Sequence, residues 1–366
     1  MARGGRADLR LCRGGHADCG PDDDVPARGP ADAPVLHGLR SRPTHRSASC
    51  QGPTRLARDV RRRGLRAVSE HRQRIGLVIN PTAGKNTGAR IGREAASLLA
   101  ATGHEIVDLS AMDGAHAVER GRAAIADRSI DCIVVAGGDG MVHLGVNLVA
   151  GTDMPLGIIA AGTGNDNARE LGLPVRDAAK AVERITHGAT RRIDAVRHVT
   201  PHGEERWFAG VLAAGFDAVV NERANGWQWP KGQMRYNLAI ARELGVFKPI
   251  PYVVEVDGVR HETKAMLVAV ANGPAYGGGM KIVPNAQFDD GLLDVLILHE
   301  VSIPTLLRVF PKVFKGQHVS HPAVEIIRGK HVRLEAKGIV SYADGERFEP
   351  LPLECEVVPG AVTVLT

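Results

Sequence analysis

Short apolar runs alternate with helical patterns from residue 74 onward, and this alternation limits the folds open to the chain. Four runs have the length and composition of buried strands: "RIGLVIN" (74–80), "HEIVDL" (104–109), "DCIVVA" (131–136) and "LGIIA" (156–160). Strands separated by helices in this way predict an α/β domain with a doubly wound, mostly parallel sheet. Such sheets bind ligands at the carboxyl ends of their strands, where the glycine-rich turns of this chain fall.

The pattern changes near Gly188, where short β-like runs with Gly and Pro turns replace the alternation. Runs of this kind predict a β-rich, sandwich-like second domain. We therefore expect a nucleotide-binding domain at 74–188 and a β-rich substrate domain at 189–366, whose last strand is free to return to the first domain. A chain of 366 residues that is 44% apolar can bury two cores, and it contains no apolar run long enough to span a membrane.

Residues 1–73 form a different kind of segment, rich in Arg, Gly and Pro. Residues 1–74 contain 16 Arg, no Lys and eight acidic residues, a net charge of +8, whereas the other 292 residues carry −3. The segment also lacks Ile, Phe, Tyr and Trp, so it cannot bury enough apolar surface to offset the entropy lost on ordering. We predict a disordered extension. A basic arm at "RRRGLR" (61–66) and a true translation start near Val68 are the alternatives.

The five cysteines indicate neither a disulfide framework nor a metal framework. Cys12, Cys19 and Cys50 lie in the extension, while Cys132 and Cys355 lie in apolar, strand-like runs. The extension has no continuous apolar signal segment, and its acidic "PDDD" argues against a transit peptide. We therefore expect a protein of the reducing cytoplasm.

Two glycine-rich turns, "AGGDGM" (136–141) and "AAGTGNDNA" (160–168), each carry an aspartate. Glycine lets backbone N–H groups approach an anion closely, and a following helix N-terminus favours negative charge, so phosphate is the expected ligand. Asp139 and Asp166 would repel that phosphate unless they hold a cation or accept a hydroxyl hydrogen bond. A magnesium nucleotide beside a hydroxyl acceptor meets this condition. Two ordinary turns, with Asp166 as a helix cap, are the alternative.

Five motifs follow one another along the chain: "NPTAGK" (80–85), "GGDG" (137–140), "GTGND" (162–166), "PNAQFDDGLLDV" (284–295) and "YADGE" (342–346). In this order they resemble the bacterial diacylglycerol kinases and their sphingosine and ceramide kinase relatives. The resemblance covers about residues 74–366, and "MRYNLAIARELG" is most similar to actinobacterial soluble diacylglycerol kinases. It implies a first domain related to NAD kinase and phosphofructokinase, followed by a β-rich domain.

The resemblance assigns the first three motifs to nucleotide binding. It implies that ATP contacts residues at strand ends and in the two turns: Asn80, Pro81, Thr82, Ala83, Gly84, Gly137, Gly138, Gly140, Thr163 and Asn165. Ser110, after the second strand, stands where the family often has a nucleotide-contacting Thr. A generic P-loop does not explain these turns, because Ile79 stands where its first glycine would be.

Carboxylates of both halves carry the expected chemistry. Removing a proton from a lipid hydroxyl needs a carboxylate within hydrogen-bond reach. The resemblance places this general base at Glu346, with Asp344 close by, and places Asp139 and Asp166 at the reacting centre. Asp139 is a competing candidate for the base.

We expect a magnesium site at the "DDG" turn, residues 289–291. The carboxylate of Asp290, with the main-chain carbonyls of Gln287 and Leu292, resembles the structural magnesium site of the family. Oxygen ligands on a tight acidic turn suit a hard cation. The alternative is a plain solvated turn.

One motif departs from the usual family form. "GGDGTxNE" reads "GGDGMVHL" here, so Met141 replaces a phosphate-contacting Thr and Leu144 replaces an acidic residue. We expect a rearranged but active site, because the four key carboxylates remain. A non-catalytic nucleotide- or lipid-binding module is the alternative. His143 in the same motif is expected to be structural.

The resemblance implies a kinase that uses ATP and Mg²⁺ to phosphorylate diacylglycerol, giving phosphatidic acid. A sphingoid base, a monoacylglycerol or a glycolipid stays open as the acceptor, and NAD kinase, which shares "GGDG", is a further alternative. "ANGWQWPKGQMRY" (224–236), and less strongly "KVFKGQHVSH" (312–321), suit a lipid headgroup region. We expect transient binding to the inner face of the membrane and no nucleic-acid partner. A homodimer is compatible with the sequence.

Overall fold

The computed structural model describes residues 72–80, 87–226, 242 and 248–366. Contacts group these described residues as one compact unit. The basic "RRRGLR" segment and the two tryptophans of "ANGWQWPKGQMRY" lie outside the described residues. None of the helices in the described ranges is long and apolar enough to cross a membrane.

The first half is a parallel sheet in the order β4-β3-β1-β2, with helices on both faces. Alternate residues of β3 belong to different cores: Ile133 and Val135 pack against α2 and α3, whereas Val134 packs against α1 and α5. Burial on both faces explains the unbroken apolar runs of these strands. The predicted doubly wound sheet is confirmed. Its elements are β1 (Arg74–Ile79), α1 (Thr87–Ala101), β2 (Glu105–Asp108), α2 (Gly114–Ala126), β3 (Cys132–Gly137), α3 (Asp139–Val149), β4 (Leu156–Ala160), α4 (Asp166–Glu170) and α5 (Ala178–His187).

The second half is built mainly from antiparallel strands, as predicted for a β-rich region. One tight hairpin joins β8 to β9 through Asp257 and Gly258, which both have positive φ, as an Asp-Gly hairpin turn requires. The elements are β5 (Thr190–Val199), β6 (Glu205–Phe208), β7 (Val211–Gly215), α6 (Phe216–Gly226), β8 (Ile250–Val256), β9 (Val259–Ala271), β10 (Leu293–His299), α7 (Ile303–Val313), a 3₁₀ helix (Gln317–Ser320), β11 (Val324–Gly329), β12 (His331–Glu335), β13 (Val340–Ala343), β14 (Glu346–Pro350) and β15 (Leu353–Leu365).

The last strand, β15, links the two halves. Its first part pairs with β12, and its last part pairs antiparallel with β5 and parallel with β4, where Val364 lies opposite Leu156. The described strands therefore form one continuous 15-stranded sheet. The division into two domains at residue 188 stays a prediction.

Replacement of Ile133 tests the parallel core. Its side chain is fully buried on β3, so Ile133→Ala should lower the free energy of unfolding by about 2–5 kcal/mol through lost burial and a residual cavity. Val259→Ala, at a side chain that is 59% exposed, should change it by less than about 0.5 kcal/mol. Chemical denaturation measures both values, and equal losses would show that β3 is not central to the core.

Candidate active site

The two glycine-rich turns touch through their backbones. The carbonyl oxygen of Gly137 accepts hydrogen bonds from the N–H groups of Ala161 (2.7 Å) and Gly162 (3.1 Å). A Cβ on Gly162 would collide with the Cα of Gly138 and would lie only 3.1 Å from its nitrogen. Only glycine permits this approach. The N-termini of α3 and α4 therefore lie side by side at the carboxyl edge of the sheet, where anions are favoured.

Asn165 holds the second turn in shape. It adopts a left-handed conformation with φ of 57°, and its amide exchanges two hydrogen bonds of 2.9 Å with the backbone of Gly162. Arg176 donates two further hydrogen bonds to the carbonyl of Gly162. The buried amide of Asn165 thus braces the turn from inside, whereas Thr163 at its tip is exposed.

The carboxylates of Asp139 and Asp166 border one small space above Gly164. A Cβ on Gly164 would lie 2.6 Å from Oδ2 of Asp139 and 3.7 Å from Oδ2 of Asp166. Oδ1 of Asp139 accepts a hydrogen bond from the N–H of Asn167 (3.2 Å), and Oδ2 of Asp166 accepts one from Gly278 (2.6 Å). Neither aspartate is the residue that caps its helix, since Gly138 and Asn165 hold those positions.

The surroundings of Asp139 raise the pKa of its carboxyl group. Burial raises the pKa of Asp139 to about 6, and the charges of Asp166 and Asp344 add to the shift, while the N–H of Asn167 opposes it. Arg169 lies 3.4 Å from Asp166 and offsets part of its charge. A divalent cation between the two carboxylates would relieve the remaining repulsion, so Asp139 and Asp166 fit magnesium bound with a nucleotide.

Glu346 reaches this space from the second half of the chain. It begins β14 after a turn in which Asp344 and Gly345 both have positive φ. Its carboxylate is exposed and lies against Gly140 in the first turn of α3, where a Cβ would collide with Oε1. The structure therefore brings Glu346 to the first glycine turn, beside the residue that follows Asp139, and its role as general base stays a prediction.

Asp344 is buried and hydrogen-bonded. Its side chain is 1% exposed and accepts hydrogen bonds from the N–H groups of Ala209 (3.1 Å) and Gly210 (2.8 Å). Nδ1 of His143, on α3, lies 3.2 Å from Oδ2 of Asp344, the oxygen that also accepts the hydrogen bond from Ala209. These contacts join the β13–β14 turn to both halves and thereby position Glu346. The geometry gives Asp344 a positioning role.

The ends of β1 and β2 meet at the same edge of the sheet. The N–H of Asn80 donates to the carbonyl of Ala136 (3.0 Å), and the N–H of Ile79 donates to the hydroxyl of Ser110 (3.0 Å). Asn80 is thus adjacent to the first glycine turn, whereas Ser110 lies on the far side of β1 from it. The remaining predicted nucleotide contacts of this segment, Pro81, Thr82, Ala83 and Gly84, lie outside the described residues.

The two departures from the family motif lie in the core. Met141 is buried, and a Cβ on Gly137 would lie 3.0 Å from the Cβ of Met141. Leu144 packs against the same cluster. Neither side chain offers a polar atom to a phosphate, so a phosphate at this turn would have only backbone N–H groups of the turn as donors.

The predicted magnesium turn at 289–291 contains an ion pair. Asp290 contacts the guanidinium of Arg328 and accepts a hydrogen bond from Leu292 (3.1 Å), and Arg328 also pairs with Asp294 (3.0 Å). Gln287 is exposed beside the turn. No group of three or more His, Cys, Asp or Glu side chains in the described ranges is arranged to hold a metal. Arg328 already supplies a positive charge to the carboxylate of Asp290, and the magnesium site at this turn stays a prediction.

Two polar residues, the half-buried Asn147 and the buried Asp194, connect elements around the site without having been singled out from the sequence. Asn147 on α3 exchanges hydrogen bonds with the backbone of Trp207 on β6 (2.7 and 2.9 Å). Asp194 accepts hydrogen bonds from Gly291 and Gly360 (both 2.7 Å) and so ties the "DDG" turn to β15. The only signal was a polar residue within an apolar run, "GVNLV" or "RIDAV".

Comparison with known proteins agrees with this geometry. The diacylglycerol kinase catalytic domain matches residues 74–198, and the YegS C-terminal NAD kinase beta sandwich-like domain matches residues 210–366. A diacylglycerol kinase of Mycobacterium tuberculosis is 41% identical over 293 residues, which cover 80% of this chain and 94% of that protein. This chain belongs to the diacylglycerol kinase family of lipid kinases. The resemblance drawn from the five motifs is confirmed.

More distant members of the diacylglycerol kinase family extend the comparison. A Bacillus subtilis diacylglycerol kinase is 27% identical over 289 residues, covering 77% of this chain and 92% of that protein. The crystal structure of a diacylglycerol kinase from Bacillus anthracis superposes with a TM-score of 0.62 at 24% identity, covering 80% of this chain and 96% of that one. The latter likeness establishes the shared fold.

Separate substitutions of Asp344 and Glu346 distinguish a residue that stabilises the β13–β14 turn from one that does not. Asp344→Asn should lower the free energy of unfolding by about 1–3 kcal/mol, because an amide nitrogen would face one of the buried N–H donors. Glu346→Gln, at an exposed position, should change it by less than about 0.5 kcal/mol. Thermal or chemical unfolding compares the two. Equal stabilities would contradict the buried role of Asp344.

Asp139→Asn should stabilise the protein at neutral pH. Because the pKa of Asp139 rises from 3.8 to about 6 on folding, stability falls as the pH rises between these values. Removing the carboxylate should therefore raise the free energy of unfolding by up to about 3 kcal/mol near pH 7 and change it little near pH 4. Urea titrations at the two pH values test this. A variant less stable than the native protein at neutral pH would refute it.

Proposed function

We propose that this chain is an ATP- and magnesium-dependent kinase that transfers the γ-phosphate of ATP to the hydroxyl of diacylglycerol, giving phosphatidic acid. Membership of the diacylglycerol kinase family supports phosphate transfer to a lipid. The observation that supports a lipid with long tails is an apolar cavity beside the loop that contacts Asp166. The protein would act in the cytoplasm, at the inner face of the membrane.

The cavity has a volume of about 170 Å³ and lies between the β9–β11 sheet and α7. Burial lowers the pKa of His318 at its wall, so this imidazole is neutral near pH 7 and adds no charge. An engineered dry cavity of about 150 Å³ holds one benzene, so this one has room for a segment of an acyl chain. The apolar lining includes Met266, Leu296, Leu306, Phe310, Val313 and Val324.

A short loop connects the cavity to the carboxylates. Tyr276 and Met280 line the cavity, and their backbones exchange hydrogen bonds of 3.1 and 3.0 Å. Gly278, between them, donates its N–H to Asp166. A lipid whose tail enters the cavity would therefore place its headgroup near Asp166, which supports a lipid alcohol as the acceptor.

The proposed roles follow from what each group can offer. Backbone N–H groups of the two glycine turns would bind the phosphates of ATP, with no side chain needed from Met141. Asp139 and Asp166 would hold magnesium, which neutralises charge on the phosphates when it is bound. The turns and the apolar cavity would place the lipid hydroxyl in line with the γ-phosphate.

Glu346 is the proposed general base. Its exposed carboxylate forms no hydrogen bond with a described residue and can turn toward a hydroxyl, whereas Asp344 is fully engaged. Glu346 would accept the hydroxyl proton as the lipid oxygen forms its bond to γ-phosphorus and the bridging oxygen leaves on ADP. Asp139, with its raised pKa, is the competing base.

Transfer of labelled γ-phosphate from ATP to lipids in mixed micelles tests this proposal. Diacylglycerol should be labelled, and monoacylglycerol, sphingosine and NAD, assayed in parallel, should be labelled far less. Glu346→Gln and Asp139→Asn should each lower turnover at least about 100-fold, as expected for loss of a base or a metal ligand. Glu204→Gln, an exposed exchange outside the site, should have no effect.

The other outcomes identify the alternatives. Labelling of NAD would point to an NAD kinase, and labelling of sphingosine alone would point to a different lipid acceptor. Binding of ATP by folded protein without transfer to any of these acceptors would indicate a non-catalytic module. That alternative arises because Met141 and Leu144 stand where the family motif has a Thr and an acidic residue. Each of these results would overturn the proposed activity.

A further inference from the structure

The helix α7, with Phe314 directly after it, exposes a second apolar stripe to solvent. Ile303, Leu307 and Phe314 are 37%, 55% and 48% exposed, and their spacing of four and seven residues places them on one side of the helical segment. A surface helix usually directs a single apolar stripe toward the core. This second stripe indicates a contact outside the chain.

The neighbouring face of the same helix forms the wall of the apolar cavity. Leu306, Phe310 and Val313 line that cavity, and the ring of Phe310 contacts the ring of Phe314 edge to face at 6.2 Å. The exposed stripe is therefore continuous with the cavity wall through this aromatic pair. Because the cavity accommodates only a segment of an acyl chain, the rest of a bound lipid would need an apolar environment next to α7.

The charge around the stripe favours an anionic surface. Between Val301 and His321 the chain has no Asp or Glu, while Arg308, Lys312 and Lys315 are all exposed. Within the described part of the chain, none of these three cations forms an ion pair. A second copy of this face would bring like charges together, so self-association is disfavoured.

We propose that α7 and residues 314 and 315 form a docking surface for an anionic lipid bilayer. The apolar stripe enters the acyl boundary while the three cations contact anionic headgroups, as in helices that lie in the plane of a membrane. Docking then places the wall of the cavity against the bilayer that holds the acceptor. This inference rests on the proposed function, since only a lipid substrate requires such a placement.

Cosedimentation of the full chain with vesicles tests the surface. The vesicles consist of phosphatidylcholine alone or of phosphatidylcholine mixed with phosphatidylglycerol. Native protein should bind the mixed vesicles more tightly, and added salt should weaken this preference. Three multiple variants are compared. The apolar variant carries Ile303→Ser with Phe314→Ser, and the charge variant carries Arg308→Gln, Lys312→Gln and Lys315→Gln. The control carries Val199→Ser with Val259→Ser, two apolar side chains that are 50% and 59% exposed on other elements.

The apolar variant should weaken binding to both kinds of vesicle at least about tenfold. The charge variant should weaken binding about 100-fold to the anionic vesicles and little to phosphatidylcholine alone. The control should bind like the native protein. Native levels of binding by both test variants, or no vesicle binding by the native protein, would overturn the proposal.

Two further measurements separate docking from the proposed chemistry. A short-chain diacylglycerol dispersed in solution needs no docking, so the apolar and charge variants should phosphorylate it at the native rate while losing activity on vesicles. Vesicle binding that depends on α7, without transfer to any diacylglycerol, would refute the proposed function and leave the docking surface intact. Sedimentation velocity without lipid should show no dimer that depends on Phe314; such a dimer would assign this face to a second copy.

Discussion

The backbone contact between the two glycine turns is the constraint on which the site depends. Gly162 lies so close to Gly138 that no side chain fits between them, and the N–H groups of Ala161 and Gly162 both meet the carbonyl of Gly137. This contact sets the distance between the N-termini of α3 and α4. It also determines that Asp139 and Asp166 face one space, which explains why the chain carries an aspartate on each turn.

The buried carboxylate of Asp344 connects the first half of the chain to the second. Asp344 contacts α3 through His143 and the strand connection at Ala209 and Gly210 through hydrogen bonds. Glu346, two residues later, is exposed and makes none of these contacts. In the proposed mechanism, the buried Asp344 would hold the backbone of the turn in place while the exposed carboxylate of Glu346 stays free to move.

The same arrangement has an energetic consequence for folding. Burial and the neighbouring charge of Asp166 raise the pKa of Asp139, so its ionised carboxylate destabilises the fold at neutral pH. A bound cation would offset that repulsion. Functional sites commonly keep such unfavourable charges because ligand binding, rather than folding, relieves them. At Asp290 the charge of the carboxylate is instead balanced within the fold, because the guanidinium of Arg328 supplies the cation.

The sequence by itself determined the class of fold, the family and the positions of the two glycine-rich turns with their aspartates. Apolar periodicity and glycine turns are local signals, so the parallel sheet and the turns at Asp139 and Asp166 could be predicted from them. The tertiary structure alone decided which groups meet. Three contacts join residues that are distant in sequence: β15 pairs with β4 and β5, Asp344 is buried against His143, and Arg328 contacts Asp290. The burial of Met141 in the core depends on packing. No local pattern encodes such contacts, because their free energy exists only after the chain has brought the partners together.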